Sequence, residues 1–281
     1  MIATICVCGA GTMGSGIAQV AAQSGFETIL FDVNEIVLIK AQKSIQKNLQ
    51  YLLDKGKITP AEKEAIFNRL NFKTDIQDCL GILIIEAIVE KPEAKINLFN
   101  ELSKFNGEEV IFASNTSSLS ISALQHEIVF PQRVVGMHFF NPAYIMKLVE
   151  VVKGDQTSDA VAKKVVEICR QLGKQPVLCK DAPGFITNRV ARHYYLESMK
   201  LVEEGVATFE EVDEILEASG FKLGPFKLMD LIGMDINLAV SESLFEAYDN
   251  APRFAPSSLQ IEKVKNKELG KKTGKGFYSY T

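Results

Sequence analysis

Ile2-Ala3-Thr4-Ile5-Cys6-Val7-Cys8-Gly9-Ala10-Gly11-Thr12-Met13-Gly14 begins as an apolar run and closes as G-x-G-x-x-G. The residues beyond Gly14 give the motif its meaning. Ile17, Ala18, Val20, Ala21 and Ala22 recur at helical spacing and stop at Gly25. A second run, Thr28-Ile29-Leu30-Phe31, ends on Asp32. Strand, glycine turn, helix, strand and acid together make a specific signature of a motif that is weak alone. Gly9 permits the tight turn, Gly11 lets a pyrophosphate approach the backbone, and Gly14 lets helix and strand pack closely. The helix N-terminus, with its unpaired N–H groups and dipole, favours the anion. Asp32, about 20 residues beyond the loop, is placed to accept bonds from the adenosine ribose hydroxyls. A 2′-phosphate there would meet a like charge. At about 4 Å and an effective dielectric of about 20 that costs ~4 kcal/mol, roughly a thousandfold in affinity. The expected cofactor is NAD rather than NADP, bound through Gly9, Gly11, Thr12, Met13, Gly14 and Asp32.

At 281 residues the chain exceeds one typical domain. Its net charge of −4 gives no general attraction to nucleic acid or anionic lipid. No apolar run reaches the length of about 18 residues that a bilayer span needs, and the most apolar stretch, 80–89, is interrupted by Glu86. The N-terminus enters a strand at once, without the pattern of a signal peptide. The five cysteines are odd in number and contain no C-x-x-C pair. Cys6 and Cys8 share one side of a buried strand, where cysteine acts as a small apolar residue. These features lead us to expect a soluble, cytoplasmic protein with no metal site, no membrane partner and no nucleic-acid partner.

After Asp32 a standard nucleotide-binding half would return quickly to its next strand. This chain instead spaces apolar residues as a long helix over 35–53, ends it at Gly56, and opens another at Thr59-Pro60 running to 68. Only then comes a strand over 70–73. Lys40, Lys43 and Lys47 lie near one helix face, with Lys55 and Lys57 at the hairpin tip. They read either as a solvated face or as a basic clamp for a long anionic substrate. Further strands are expected over 82–89, 109–114, 133–138, 147–152 and 176–179, with helices over 92–104 and 158–172. The loop Asn115-Thr116-Ser117-Ser118 follows a strand, where open α/β sheets bind ligands, although Ser118 or Ser120 would serve equally as a helix cap. Asp181-Ala182-Pro183-Gly184 breaks the pattern, and helices are expected over 185–204, 208–218, 226–232, 235–248 and 257–267. The resulting fold class is an α/β Rossmann-type domain over 1–182, carrying an inserted helical hairpin, followed by an all-α domain over 183–281.

His138 and Glu150 are equidistant from Tyr144. If the chain reverses there, the two side chains face each other across a hairpin. A lone histidine in an apolar strand is ordinarily a core residue. Paired with a carboxylate at a strand end beside the nucleotide, it becomes a candidate general base, its partner fixing the tautomer and stabilising the imidazolium. His126 and His193 lack that setting. Asn188 lies in the first turns of the second domain, either as an exposed helix residue or as a substrate contact.

The motifs Gly9-Ala-Gly-Thr-Met-Gly14, Glu86-Ala-Ile-Val-Glu90, Ala113-Ser-Asn-Thr-Ser-Ser-Leu119, His138-Phe-Phe-Asn-Pro142, Met146-Lys-Leu-Val-Glu-Val151, Lys180-Asp-Ala-Pro-Gly-Phe-Ile-Thr-Asn-Arg189, Gly224-Pro-Phe226 and Gly270-Lys-Lys-Thr-Gly-Lys-Gly-Phe-Tyr278 occur in order along nearly the whole chain. In this the sequence resembles the L-3-hydroxyacyl-CoA dehydrogenases, most closely the bacterial 3-hydroxybutyryl-CoA branch. The resemblance implies that His138 is the base and Glu150 its partner, with Ser117 and Asn188 holding the substrate's oxygens. It places Glu90, Lys95, Ser117, Asn141 and Lys272 near the nicotinamide half of the cofactor. The helical hairpin would grip coenzyme A, with Lys55 and Ser117 at binding positions and Asn48 where animal enzymes commonly have serine. The loop Pro142-Ala143-Tyr144-Ile145 departs from the commoner Pro-Val-Pro-Val, which implies a different acyl-chain fit. A two-fold dimer through the helical domain is also implied. The reaction would be (S)-3-hydroxyacyl-CoA + NAD⁺ ⇌ 3-oxoacyl-CoA + NADH + H⁺, within fatty-acid or butanoate metabolism. Two other readings are a dehydrogenase of a free hydroxy acid or sugar acid, and a non-catalytic NAD-binding protein. The hairpin speaks against the first and the intact His138, Glu150, Ser117 and Asn188 set against the second.

Overall fold

The computed structural model describes residues 3–280; Ile2, with which the first apolar run begins, lies outside the described residues, as do Met1 and Thr281. The chain divides into two compact units, Met1–Asp181 and Ala182–Thr281.

The first unit is built as β1 (Thr4–Cys8), α1 (Thr12–Gln23), β2 (Glu27–Phe31), α2 (Glu35–Asp54), α3 (Pro60–Asn68), β3 (Leu70–Lys73), β4 (Leu83–Glu86), α4 (Pro92–Leu102), β5 (Ile111–Ser114), α5 (Ile121–Gln125), β6 (Val134–Phe139), β7 (Leu148–Lys153), α6 (Asp159–Gln171) and β8 (Gln175–Lys180). The strands form one sheet in the order β3-β2-β1-β4-β5-β6-β7-β8. Every neighbouring pair is parallel except β6–β7. Chain order reverses between β1 and β4, and ligands of such sheets bind outside the carboxyl ends of the strands there. This is the Rossmann-type architecture expected, with the α2–α3 hairpin inserted before β3.

Local chemistry explains the elements. Ile5, Val7, Ile84 and Ile85 are fully buried, as parallel strands covered on both faces require. Ile17, Ala18, Ala21 and Ala22 line the inner stripe of α1, and burying a side chain such as Ile17 is worth about 1.5–3 kcal/mol. Gly9 has φ +103, and a Cβ there would lie 2.5 Å from the Ala87 carbonyl oxygen. A Cβ on Gly14 would lie 1.7 Å from the Gly9 carbonyl oxygen, so only glycine lets α1 start this close to the turn. Asn34 caps α2 by accepting from the Ile36 N–H. A reciprocal Thr59–Glu62 capping box, with Pro60 opening the helix, starts α3; such a cap is worth about 1 kcal/mol.

One expectation needs correction. The run over 82–89 is a strand only at Leu83–Glu86, because the Glu86 side chain accepts the Ile88 N–H at 2.7 Å and turns the chain out of the sheet. Lys40 borders a cleft beside the glycine loop, whereas Lys47 borders a cavity of ≈ 650 Å³ between α2 and α3.

The second unit is helical, as expected: α7 (Thr187–Glu203), α8 (Phe209–Ala218), α9 (Pro225–Ile232), α10 (Met234–Ala247) and α11 (Ser258–Lys265). Its first helix begins two residues later than the apolar pattern suggested, since Phe185 sits at φ 48, outside helical space. Met199, Phe226, Met229 and Met234 form the core. Two buried carboxylates organise it. Asp213 accepts the Phe226 and Lys227 N–H groups at the start of α9, and Asp230 accepts those of Phe277 and Tyr278 from the C-terminal segment. Among the described residues no helix is long and apolar enough to cross a membrane.

Candidate functional site

The glycine loop leaves the carboxyl end of β1 and hands the chain to α1 with Gly11 as its N-cap, so no side chain blocks the first N–H groups of the helix. A Cβ placed on Gly11 would meet nothing within 4 Å. That open face suits a pyrophosphate brought against the backbone. The loop borders a cleft of ≈ 370 Å³ that also gathers Thr12, Lys40, Asn48, Asn141 and Tyr144. Asp32 accepts the Ala10 N–H through Oδ2 and the Asn34 N–H through Oδ1, both at 2.9 Å. Its carboxylate thus fixes the loop as well as standing where a ribose diol would be recognised. Loop, helix end and acid fit a dinucleotide.

A buried charge network lies at the ends of β4 and β5. Lys95, 1% exposed, reaches from α4 to Glu86 Oε1 at 2.6 Å and Glu90 Oε2 at 3.0 Å. Register pairs Glu86 with Ser114, whose hydroxyl donates to Glu86 Oε2 at 2.7 Å. Burial pushes the Glu86 carboxyl up, further than Lys95, Ser114 and the Ile88 N–H pull it down. Burial also pushes Glu90 up, but there Lys95 and the Thr116 hydroxyl more than offset it, and the carboxyl ends below its ordinary value. Glu90 Oε1 accepts from the Thr116 hydroxyl at 2.5 Å and from the Ser117 N–H at 3.1 Å. One carboxylate therefore shapes the loop carrying Ser117, and the same network holds Glu90 and Lys95 together.

Antiparallel pairing of β6 and β7 sets His138 opposite Glu150, as the equal spacing from Tyr144 requires. His138 Nδ1 lies 2.8 Å from Glu150 Oε2, and both side chains are buried. A carboxylate can only accept, so in this contact Nδ1 carries the proton. The Phe140 ring packs on the imidazole at 4.5 Å between centroids. Asn115 Oδ1 accepts the Phe139 N–H at 2.9 Å, tying the end of β6 to the loop after β5.

Three groups that matter here were not singled out from the sequence. Glu86 figured there only as an interruption of an apolar run and as the first residue of a motif. Gln19 accepts from the Asn48 amide at 3.1 Å. Lys174, buried in the short connection between α6 and β8, donates to the carbonyls of Ala143 and Met146 at 2.5 and 2.8 Å. It pins the loop between β6 and β7, and no local motif announces that. Lys174→Met leaves two carbonyls without their cationic donor, at about 1–3 kcal/mol each where buried. The expected result is a severalfold higher KM with kcat within about twofold, read by steady-state kinetics. A fall in kcat at unchanged KM would contradict the assignment.

Of the other residues expected at the site, Lys55 caps the C-terminus of α2 with its ammonium 5.7 Å over the Tyr51 ring. At 1.5 Å per residue it stands about 10 Å along the helix from Asn48. Asn188 and Lys272 belong to the second unit, Asn188 in the first turn of α7 and Lys272 paired with Asp235 at 2.5 Å.

Residues 4–182 match the family described as 3-hydroxyacyl-CoA dehydrogenase, NAD binding domain, and residues 184–280 match its 3-hydroxyacyl-CoA dehydrogenase, C-terminal domain. The chain is 44% identical over 281 residues to the 3-hydroxyadipyl-CoA dehydrogenase of Escherichia coli K12, covering 99% of this chain and spanning only 59% of that relative's length. It is 43% identical over 276 residues to a probable 3-hydroxybutyryl-CoA dehydrogenase of Deinococcus radiodurans, covering 98% of this chain and 99% of the relative. The crystal structure of (S)-3-hydroxybutyryl-CoA dehydrogenase from Ralstonia eutropha superposes with a TM-score of 0.95 at 37% identity, over 100% of both chains.

Proposed function

Since the chain belongs to the L-3-hydroxyacyl-CoA dehydrogenase family of NAD-dependent oxidoreductases, close to its bacterial 3-hydroxybutyryl-CoA members, we propose that it interconverts (S)-3-hydroxybutyryl-CoA and acetoacetyl-CoA, with His138 and Glu150 as an acid–base dyad. The observation that carries the mechanism is the 2.8 Å contact between His138 Nδ1 and Glu150 Oε2 at the ends of β6 and β7. NAD, when bound, supplies the hydride acceptor. The protein's part is to orient the 3-hydroxyl and manage one proton. His138 Nε2 takes the hydroxyl proton during oxidation and returns it to the carbonyl oxygen during reduction. Glu150 keeps the Nδ1 proton in place and offsets the charge that develops on the ring. Ser117, positioned by Glu90, and Asn188 hold the substrate's oxygens. Lys95 and Glu90, with Asn141 and Lys272, frame the nicotinamide half of the cofactor, and Asp32 selects the unphosphorylated ribose. Asn48 and Lys55 on α2 contact coenzyme A. A homodimer formed through the helical unit accords with exposed Ile215, Phe221 and Leu231 there.

The decisive experiment is steady-state kinetics with C4, C6 and C10 3-hydroxyacyl-CoA and free 3-hydroxybutyrate, together with the reverse reaction run with NADH and with NADPH. We expect the C4 thioester to give the highest kcat/KM. NADH should exceed NADPH by roughly a thousandfold, the like-charge penalty at Asp32. Equal kcat/KM for the thioester and the free acid would remove the coenzyme A assignment. Comparable rates with the two dinucleotides would remove that of Asp32.

A further inference from the structure

β1 presents two thiols on one face, and a third comes to meet them from elsewhere in the chain. Cys6 and Cys8 alternate with Ile5 and Val7, so their side chains leave the sheet on the same side. Their sulfurs are 3.9 Å apart. Cys79 follows the short 3₁₀ turn Ile76–Asp78 in the connection between β3 and β4. All three sulfurs lie within 4.8 Å of one another, and all three residues are 0% exposed. Cys169 and Cys179, on α6 and β8, take no part. We propose that Cys6, Cys8 and Cys79 form a three-sulfur binding site for a soft, three-coordinate metal ion of the monovalent copper class.

Geometry, ligand type and coordination number all select that class. An ion about 2.3 Å from each of three sulfurs, the length of a metal–thiolate bond, holds them about 4.0 Å apart when it lies in their plane. The Cys6–Cys8 separation of 3.9 Å already matches that spacing, so only small side-chain adjustments are needed. Thiolate ligands select soft ions. A structural zinc takes a fourth ligand, and among the described residues no fourth histidine, cysteine or carboxylate joins the cluster. One thiolate neutralises one monovalent ion. Each further thiolate sends its proton to solvent, and copper enters and stays in the monovalent state, so no electron acceptor is required.

Entry is through the Cys79 side. Cys6 and Cys8 are locked into a central strand, bonded on both edges. Cys79 sits in an irregular segment, its N–H donating to the Ile76 carbonyl and its carbonyl accepting from the Asn106 amide at 2.9 Å. The neighbouring Leu80 and Ile82 are exposed. Local opening of such a segment costs less than opening the sheet.

The test uses the full chain, reduced and kept anaerobic, titrated with Cu(I) against a chromophoric Cu(I) chelator. One copper per chain, a near-ultraviolet thiolate-to-copper absorption and an X-ray absorption spectrum with three sulfur neighbours are expected. Cys79→Ala should weaken binding by roughly a hundredfold or more, a loss at the upper end of what even supporting residues contribute. Cys79→Ser, nearly isosteric, should lose as much while keeping the wild-type circular dichroism and NADH binding. The double variant Cys169→Ala/Cys179→Ala should bind copper as the wild type does. Wild-type copper affinity in either Cys79 variant, or loss of binding in the Cys169/Cys179 variant, overturns the proposal.

Discussion

His138→Gln should lower kcat by roughly 10²–10⁴, the contribution of a positioned acid–base group, which corresponds to about 3–5 kcal/mol of barrier. Glutamine retains a polar group of similar reach but cannot take up and return a proton in this range. NADH affinity should stay within about twofold, since the glycine loop and Asp32 lie on other strands. Measurement of kcat alongside fluorescence titration of NADH separates the two. Turnover near the wild-type value would end the assignment of His138 as the base. Glu150→Gln should give a loss of similar order, for a reason that differs in kind. An amide can offer its nitrogen to Nδ1, which inverts the tautomer and leaves Nε2 carrying the proton it is meant to accept. Its pH–rate profile should therefore change shape as well as height, and an unchanged profile would argue against the dyad.

How far the site could be read from the sequence depended on whether its partners lie within one supersecondary unit. The His138–Glu150 pair was legible because a hairpin makes sequence symmetry about Tyr144 into spatial opposition. The glycine loop was legible because strand, turn and helix follow one another without interruption, and the α3 capping box because Thr59 and Glu62 are three residues apart. The Glu86–Lys95–Ser114 cluster was not. Glu86 and Ser114 meet only because β4 and β5 align in that one register, and Lys95 reaches them only by the phase of α4. The strand over 82–89 was overread for the same reason: an apolar run continues past Glu86, but the side-chain bond to Ile88 that ends the strand has no signature in hydropathy. Cys6 and Cys8 could be paired from strand alternation, whereas Cys79 arrives through an irregular connection that no periodicity describes.

Lys95→Met should destabilise the first unit by about 3–5 kcal/mol at neutral pH, because it leaves the Glu86 carboxylate buried without its cation. Glu86 is 0% exposed and, among the described residues, keeps only the Ser114 hydroxyl and the Ile88 N–H as donors. Glu90, whose side chain is 39% exposed, can be rehydrated when Lys95 is lost, so Glu86 dominates the deficit. The sign of the pH dependence follows from the direction of its shift. A carboxyl raised in the folded state contributes stability that is fully present below its unfolded value and is lost as pH rises through its folded one. Burial already raises Glu86 in the wild type, and removing Lys95 takes away the largest opposing influence. The deficit of Lys95→Met should therefore be greatest above that raised value and shrink as acidification protonates Glu86. Urea denaturation of wild type and variant across that range measures it. Glu86→Gln/Lys95→Met should recover most of the loss, since an amide can still donate and accept within the cluster without a buried charge. A deficit that does not change with pH, or a double variant no better than Lys95→Met, would mean that lost packing around the lysine stem, rather than an uncompensated carboxylate, sets the stability of this corner of the sheet.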